Sequence, residues 1–446
     1  MLSLITLVAA QSCPPTLNFS HPYSLAPGYS ISKFAQLDSP RGITIATLNS
    51  TDILFATNSG YGIIAIPISP NCSTAGWVFN LLNDTTLNHG IAVSMSGDGT
   101  GGKVYASSSN TTWAWDLDGG NLTLTNRTVV VSNMANADHD TRTLLLSSVF
   151  PDLLVINRGS NSNLDEGAAV EDNQRAMVKV FNLTNLPDDG YDFTNDGIIA
   201  GWGLRNDVGL VEDWEGGLWT VENSADDITY TANSTSTDVH LNNPGEKLNY
   251  LGPISNPTGS FHGYPNCFAV YNASEFPTGT DFTTGDQFAL SPNSTLNDTT
   301  CANISNPPRL TFQAHSAPLD IKFLPNSNKS QAFVTFHGSW DRAPPTGYKI
   351  VRVPFTNSSS TGGFGPVADL TDMFGYEDVL WNPDISACPN GCFRPVGLAF
   401  DSQGRMFVSS DSTGDIFMIT LPANVSNANL TTGGTTPTGA TTMSVS

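Results

Sequence analysis

A chain of 446 residues with 18 Lys+Arg against 40 Asp+Glu and a formal net charge of -22 is too acidic to favour the phosphate backbone of a nucleic acid. After residue 10 it has no apolar run long enough to cross a bilayer as a helix. Its 40 Gly and 28 Pro, and short Val/Ile/Leu/Phe/Tyr runs without long 3.6-residue periodicity, argue against a helical bundle and predict a mainly β chain.

Residues 1–10 hold a short apolar stretch, Leu2 to Ala10, with Val8 and Ala10 at small-residue cleavage positions. The pattern predicts a secretory leader. Asn-x-Ser/Thr sequons from Asn18 to Asn429 are denser than a cytosolic chain needs and agree with export. In an oxidising compartment the even set Cys13, Cys72, Cys267, Cys301, Cys388 and Cys392 predicts disulfides rather than a metal centre. Sequence proximity pairs them 13–72, 267–301 and 388–392.

Along the chain a basic residue recurs at the mouth of an apolar run: Arg41-Gly-Ile, His89-Gly-Ile, His139-Asp-Thr-Arg142-Thr-Leu, Arg205-Asn-Asp-Val-Gly-Leu, His315-Ser-Ala-Pro-Leu and Arg394-Pro-Val-Gly-Leu. Each run leads through a Gly/Asn/Asp turn to a second run that ends near Ser or Asn. In the last unit Val396-Gly-Leu-Ala-Phe-Asp turns at Ser402-Gln-Gly-Arg into Met406-Phe-Val-Ser-Ser. Six such units predict an all-β, six-bladed β-propeller over 11–421 with long loop insertions, chiefly within 225–314. A two-sheet sandwich is the alternative. The Thr/Gly/Pro/Ser-rich end, placed at 422–446, reads as a flexible tail.

The inner strands of a propeller converge, so Arg41, His89, His139, Arg142, Arg205, His315 and Arg394 are expected to surround one site. They would create a local positive field suited to a small polyanion. The turn Arg158-Gly-Ser-Asn161-Ser-Asn163 offers backbone N–H groups and amides to an anion. In Phe336-His337-Gly-Ser-Trp340-Asp-Arg342, an imidazole, a guanidinium and an indole suit a planar charged ring. Gly60-Tyr-Gly-Ile-Ile-Ala65 matches a dinucleotide fingerprint, but the Ile-Pro-Ile that follows cannot open a helix, so it reads as a hairpin. There is no H-E-x-x-H, Walker loop, G-x-S-x-G elbow or C-x-x-C-H in the sequence.

Arg205-Asn206 with Gly209-Leu210, His315-Ser-Ala-Pro-Leu, and Phe336-His-Gly-Ser-Trp340 with Pro344-Pro-Thr-Gly-Tyr348-Lys together resemble the glucose/sorbosone dehydrogenase family. The resemblance runs from residue 20 to 421 and is greatest to the fungal pyrroloquinoline-quinone-dependent (PQQ-dependent) pyranose dehydrogenases. It implies a propeller holding PQQ and calcium that oxidises the C1 hydroxyl of a pyranose sugar to a lactone. His139 would be the general base, with Arg205 stabilising negative charge on the quinone. Arg41, His89, Arg142, Arg158, Asn161, Asn206, His315, His337, Trp340, Arg342 and Arg394 would bind the cofactor. Asn242 and Asn243, in Leu241-Asn-Asn-Pro-Gly245, would mark the calcium loop.

Bacterial soluble members carry Gly-Gly-Arg-Leu after the histidine. This chain has Asp140-Thr-Arg142-Thr-Leu instead; Asp138 or Asp140 could orient His139, but each reads more readily as a solvated turn residue. The expected protein is a secreted monomer passing electrons to an external acceptor: a cytochrome domain, a copper enzyme or a small quinone. The competing readings are a calcium-dependent lactonase-type hydrolase and a non-catalytic carbohydrate-binding propeller.

Overall fold

The computed structural model describes residues 13–325, 330–358, 363–426 and 441–443. The expected leader at 1–10 and most of the expected tail lie outside the described residues. Of the tail region, Ala423–Ser426 form a helical turn whose Val425 is buried in the core.

Six sheets form the blades, each built on four antiparallel strands, and three of them carry additional strands beyond those four. Their innermost strands are Pro40–Leu48, Ile91–Met95, Leu144–Leu146, Asp207–Glu212, Pro318–Phe323 and Pro395–Phe400, each beginning within three residues of a basic mouth residue. The all-β propeller read from the repeat is the observed fold, and its six units are the six blades. Tight turns make the hairpins. Asn49 and Ser50 both adopt positive φ between Pro40–Leu48 and Thr51–Asn58, the backbone twist of a two-residue hairpin loop. Gly60-Tyr-Gly is likewise a hairpin, joining Thr51–Asn58 to Gly62–Pro67.

The last blade takes its outer strand from the start of the chain. Ser30–Gln36 pairs antiparallel with Asp415–Thr420, which closes the ring and leaves no open inter-blade edge. The sequence repeat did not show this strand. All three expected disulfides form. Cys13–Cys72 ties the N-terminal segment to the first blade, and Cys267–Cys301 secures the helix Asp298–Ile304 within the fourth-blade insertion.

Large apolar side chains fill the space between blades. Between the fourth and fifth, Trp219, Phe312, Phe323, Phe336 and Phe355 pack together in one buried cluster.

Around the axis, a side chain at or near the end of a second strand bonds to the mouth of the next inner strand. Thr57 donates to the His89 carbonyl at 2.6 Å, Ser107 to Arg142 at 2.6 Å, Asn223 to Pro318 at 2.7 Å, Thr335 to Val396 at 2.6 Å and Ser409 to Arg41 at 2.6 Å. Between the third and fourth blades, Thr143 on the inner strand itself donates to Val208. The repeated basic position is therefore partly a backbone position, its carbonyl stitching blade to blade.

Glycine at Gly90 permits this approach. A Cβ there would lie 2.0 Å from the Arg142 carbonyl and 2.5 Å from Ser107 Oγ, and neither can withdraw without opening the junction. Gly90→Ala is expected to destabilise the fold by about 1–3 kcal/mol through overpacking, read as a lowered denaturant midpoint. An unchanged midpoint would show that the blades separate freely.

Candidate active site

His139 sits on the loop leading into the third blade, with its side chain 14% exposed. Its Nδ1 lies 3.2 Å from the Ser160 carbonyl and 3.0 Å from Ser160 Oγ. A carbonyl can only accept, so in the neutral ring Nδ1 carries the proton and Nε2 keeps a free lone pair. Burial and the neighbouring Arg205 guanidinium hold its pKa down at about 4, so the imidazole is neutral at physiological pH.

Ser160 is the orienting partner, rather than either aspartate considered from sequence. Asp138 is half exposed, and its carboxylate stands 4.0 Å from Nδ1. Asp140 is exposed, and its carbonyl accepts from Asn88.

Arg205 is buried and fully engaged. It donates to the Asn163 carbonyl at 3.0 Å, to Asn163 Oδ1 at 2.9 Å and to Asp226 at 2.9 Å. The turn around Asn161 and Asn163 therefore wraps Arg205 and its neighbours. Asn161 Oδ1 accepts from Ala137 N, holding the loop that carries His139. Within the turn, Asn163 is spent on Arg205 and Asp226, and the Asn161 N–H donates to Asp165 at 2.9 Å. Gly159 backs the pair, because a Cβ would fall 2.6 Å from His139 Cβ and 2.9 Å from Asn206 Oδ1. That Asn206 oxygen is buried without a partner.

Asp226 also stands 3.7 Å from His315 Nδ1, and Asp341 stands 3.0 Å from the same nitrogen. Burial opposes a charge on His315, but the two carboxylates outweigh it and raise its pKa to about 10. Asp341 lies off the N–H direction, so neither of its buried oxygens accepts a hydrogen bond. Asp226, His315 and Asp341 offer ligand atoms within 4.8 Å of one another. Glu246 joins the two loops that present Asp226 and His315, accepting from Ser224 N at 2.6 Å and Ala317 N at 3.2 Å.

A second group gathers Arg41, His337 and Arg394. Arg41 NH1 forms a close ion pair with Asp411, whose other oxygen is 2.9 Å from His337 Nε2. The guanidinium's remaining donors have no partner among the described residues. Arg394 donates to the carbonyls of His337 and Gly338, both at 3.0 Å, and fixes the loop that ends in Trp340. Trp340 is 71% exposed. Beyond it, Arg342 buries Nε and one terminal nitrogen without partners.

Three expected cofactor ligands have other occupations. Arg142 is completely buried and spends its guanidinium on the carbonyls of Met134, His139 and Thr141 and on Asn136. Arg158 is held by the carbonyls of Gln174 and Ala135. Both clamp loops. His315 spends its second nitrogen on the His240 carbonyl. His89 points into the propeller axis.

In the expected calcium loop, the Asn242 amide bonds Glu275. The Asn243 side chain bonds Glu275 and the backbone of 271–272. Both amides hold the loop's shape.

The positive field is weaker than a count of cations implies, because Arg41, Arg205 and His315 each face a carboxylate. Asp226, Asp341 and Asp411 were missed from sequence. Asp341 stood in a segment already singled out and Asp411 directly follows one, but an isolated Asp in an acidic chain carries no signal of its own.

The sequence model of the TrAA12-like family matches residues 23–422. A curated relative from Hypocrea jecorina, a PQQ-dependent sugar dehydrogenase, is 40% identical over 403 residues, 88% of this chain and 87% of that protein. The chain belongs to the TrAA12-like family. Another relative, a PQQ-dependent pyranose dehydrogenase from Coprinopsis cinerea, is 37% identical over 417 residues, 92% of this chain. The match spans 56% of that relative's length, so this chain corresponds to about half of it.

Two solved structures share the TrAA12-like fold closely. The holo PQQ domain of the Coprinopsis pyranose dehydrogenase superposes with a TM-score of 0.85 at 35% identity, covering 91% of this chain and 99% of that one. A calcium structure of a Trichoderma reesei AA12 enzyme gives a TM-score of 0.83 at 38% identity, covering 92% of this chain and 100% of that one.

Proposed function

We propose that this chain is a secreted PQQ-dependent dehydrogenase that oxidises the C1 hydroxyl of a pyranose to a lactone and passes electrons to an external acceptor. The observation that carries the reading is His139, a neutral imidazole with a fixed tautomer and a free Nε2, beside a buried arginine. A group of that kind can take the proton from a sugar hydroxyl. The family relatives named for PQQ and sugars supply the substrate class.

The residues fit the cofactor. Arg342 has buried donors without partners, Arg41 has donors to spare and Trp340 presents an open aromatic face. This set suits a planar polycarboxylate. Arg394 would hold the Trp340 loop against it, while Asp226 and Asp341 are the best placed carboxylates for a hard cation. Bound PQQ would supply a two-electron hydride acceptor.

The chain's own residues then divide the remaining work. His139 Nε2 receives the hydroxyl proton as the C1 hydride leaves. Ser160 keeps the ring in the competent tautomer. Arg205, locked by Asn163 and Asp226, presents fixed positive charge to oxygen that becomes more negative.

The Asp226–His315–Asp341 cluster favours one other reading, a calcium-dependent lactonase. Reconstituting the protein with PQQ and calcium and scanning aldoses with an artificial electron acceptor separates the two. Quinone-dependent bleaching of the acceptor by an aldose is expected. No aldose response overturns the dehydrogenase, and lactone hydrolysis without quinone establishes the hydrolase in its place.

A further inference from the structure

The propeller axis holds a cavity of ≈ 140 Å³ lined from four blades, with Gly42, His89 and Thr143 toward the mouth and Thr44, Asp320 and Lys322 further down. One water needs roughly 10–15 Å³ measured in this way, together with polar partners, so the space admits several. His89 is 3% exposed and its Nδ1 has no partner. An unsatisfied buried imidazole nitrogen facing a polar cavity calls for water. At the other end Lys322 pairs closely with Asp320, and its side chain is 28% exposed. Asp320 is held by the Leu398 N–H at 2.8 Å.

His89 adjoins the cofactor-binding side of the mouth. The charged and titratable groups acting on it are Arg41, Lys322, Asp411 and His337, three of which belong to the Arg41–Asp411–His337 cluster. The His139 loop is adjacent, since Asn88 donates to the Asp140 carbonyl at 3.0 Å and Thr143 lines the cavity.

We propose that this axial cavity is a hydrated proton exit, with His89 relaying protons from the site toward Lys322 and Asp320. The inference rests on the dehydrogenase reading. Oxidising one sugar to its lactone removes two electrons and two protons. A one-electron acceptor takes two electrons in two steps and no protons, so both protons must reach solvent. The axial cavity offers those protons a polar path that starts at His89 and runs away from the mouth. A neutral imidazole accepts a proton on one nitrogen and releases the other, so His89 can pass protons without storing charge.

The test has two arms. In the protein without quinone, ¹⁵N resonances of His89 and water-proton relaxation dispersion report whether the cavity is wet. Long-lived waters are expected in the parent and should be lost in Thr44→Phe, which fills the cavity while leaving every charged group in place. In the reconstituted protein, an indicator dye follows proton release with ferricyanide as acceptor.

His89→Leu and Thr44→Phe are each expected to slow proton release several-fold and to enlarge the solvent isotope effect, with quinone affinity unchanged in Thr44→Phe, which touches none of the expected cofactor-binding residues. A dry cavity, or unaltered release in both variants, overturns the exit alone. A wet cavity in a protein that oxidises no aldose overturns the dehydrogenase reading and the exit with it.

Discussion

His139→Ala is expected to leave PQQ bound and to lower turnover by about 10²–10⁴-fold, the range for losing a positioned general base. The cationic side chains of the mouth are untouched by the change, so quinone titration should give the parent affinity. The same residue sets the acid limb of the pH profile. Only the neutral ring can accept a proton, and burial beside Arg205 holds its pKa at about 4 instead of the usual 6.5.

Falling pH should therefore leave turnover level through the ordinary histidine range and reduce it only as pH 4 is approached. Ser160→Ala removes one of the two Nδ1 contacts but retains the carbonyl, so it should cost far less. Full turnover in His139→Ala, or an acid limb near 6.5, would show that another group is the base.

Arg41→Ala is expected to weaken PQQ retention by about 2–5 kcal/mol, the cost of truncating one partner of a buried charge pair. Two effects add. A donor to the quinone's carboxylates is lost, and Asp411, whose carboxyl is held at about 2 by the charges around it, is left facing an anionic ligand. Adding Asp411→Asn to Arg41→Ala should recover part of the loss, which a double-mutant cycle resolves. Equilibrium dialysis of the quinone gives the affinities directly. An unchanged affinity in Arg41→Ala would place the cofactor elsewhere.

The inner-strand repeat was legible because it has a local cause. A strand that starts at a crowded axis needs a glycine or a small residue where the next blade approaches, and a polar residue near the end of the second strand to bond across. Gly42, Gly90, Gly209 and Gly397, with Thr57, Ser107 and Ser409, record that requirement in the chain itself. The disulfides were legible too, since cysteines near in sequence here meet across single loops. His139, Arg205, Arg41 and Trp340 could be singled out because scarce cations and a large aromatic stand out in an acidic chain.

Local stretches of chain thus carried the blade count, the cysteine pairs and the residue types that ring the axis. Tertiary structure alone decided what each ring member does. Arg142 and Arg158 look like Arg41 in sequence, yet their terminal guanidinium nitrogens are taken up by oxygens of loops folded over them. Asp226, Asp341 and Asp411 become site residues only because chain segments far apart in sequence bring them to His315, His337 and Arg41. The closing strand Ser30–Gln36 belongs to the last blade by ring closure, a long-range pairing that leaves no periodic mark near either partner. Side-chain roles depend on which groups meet across blades, and that is fixed by the closed ring rather than by any local stretch of chain.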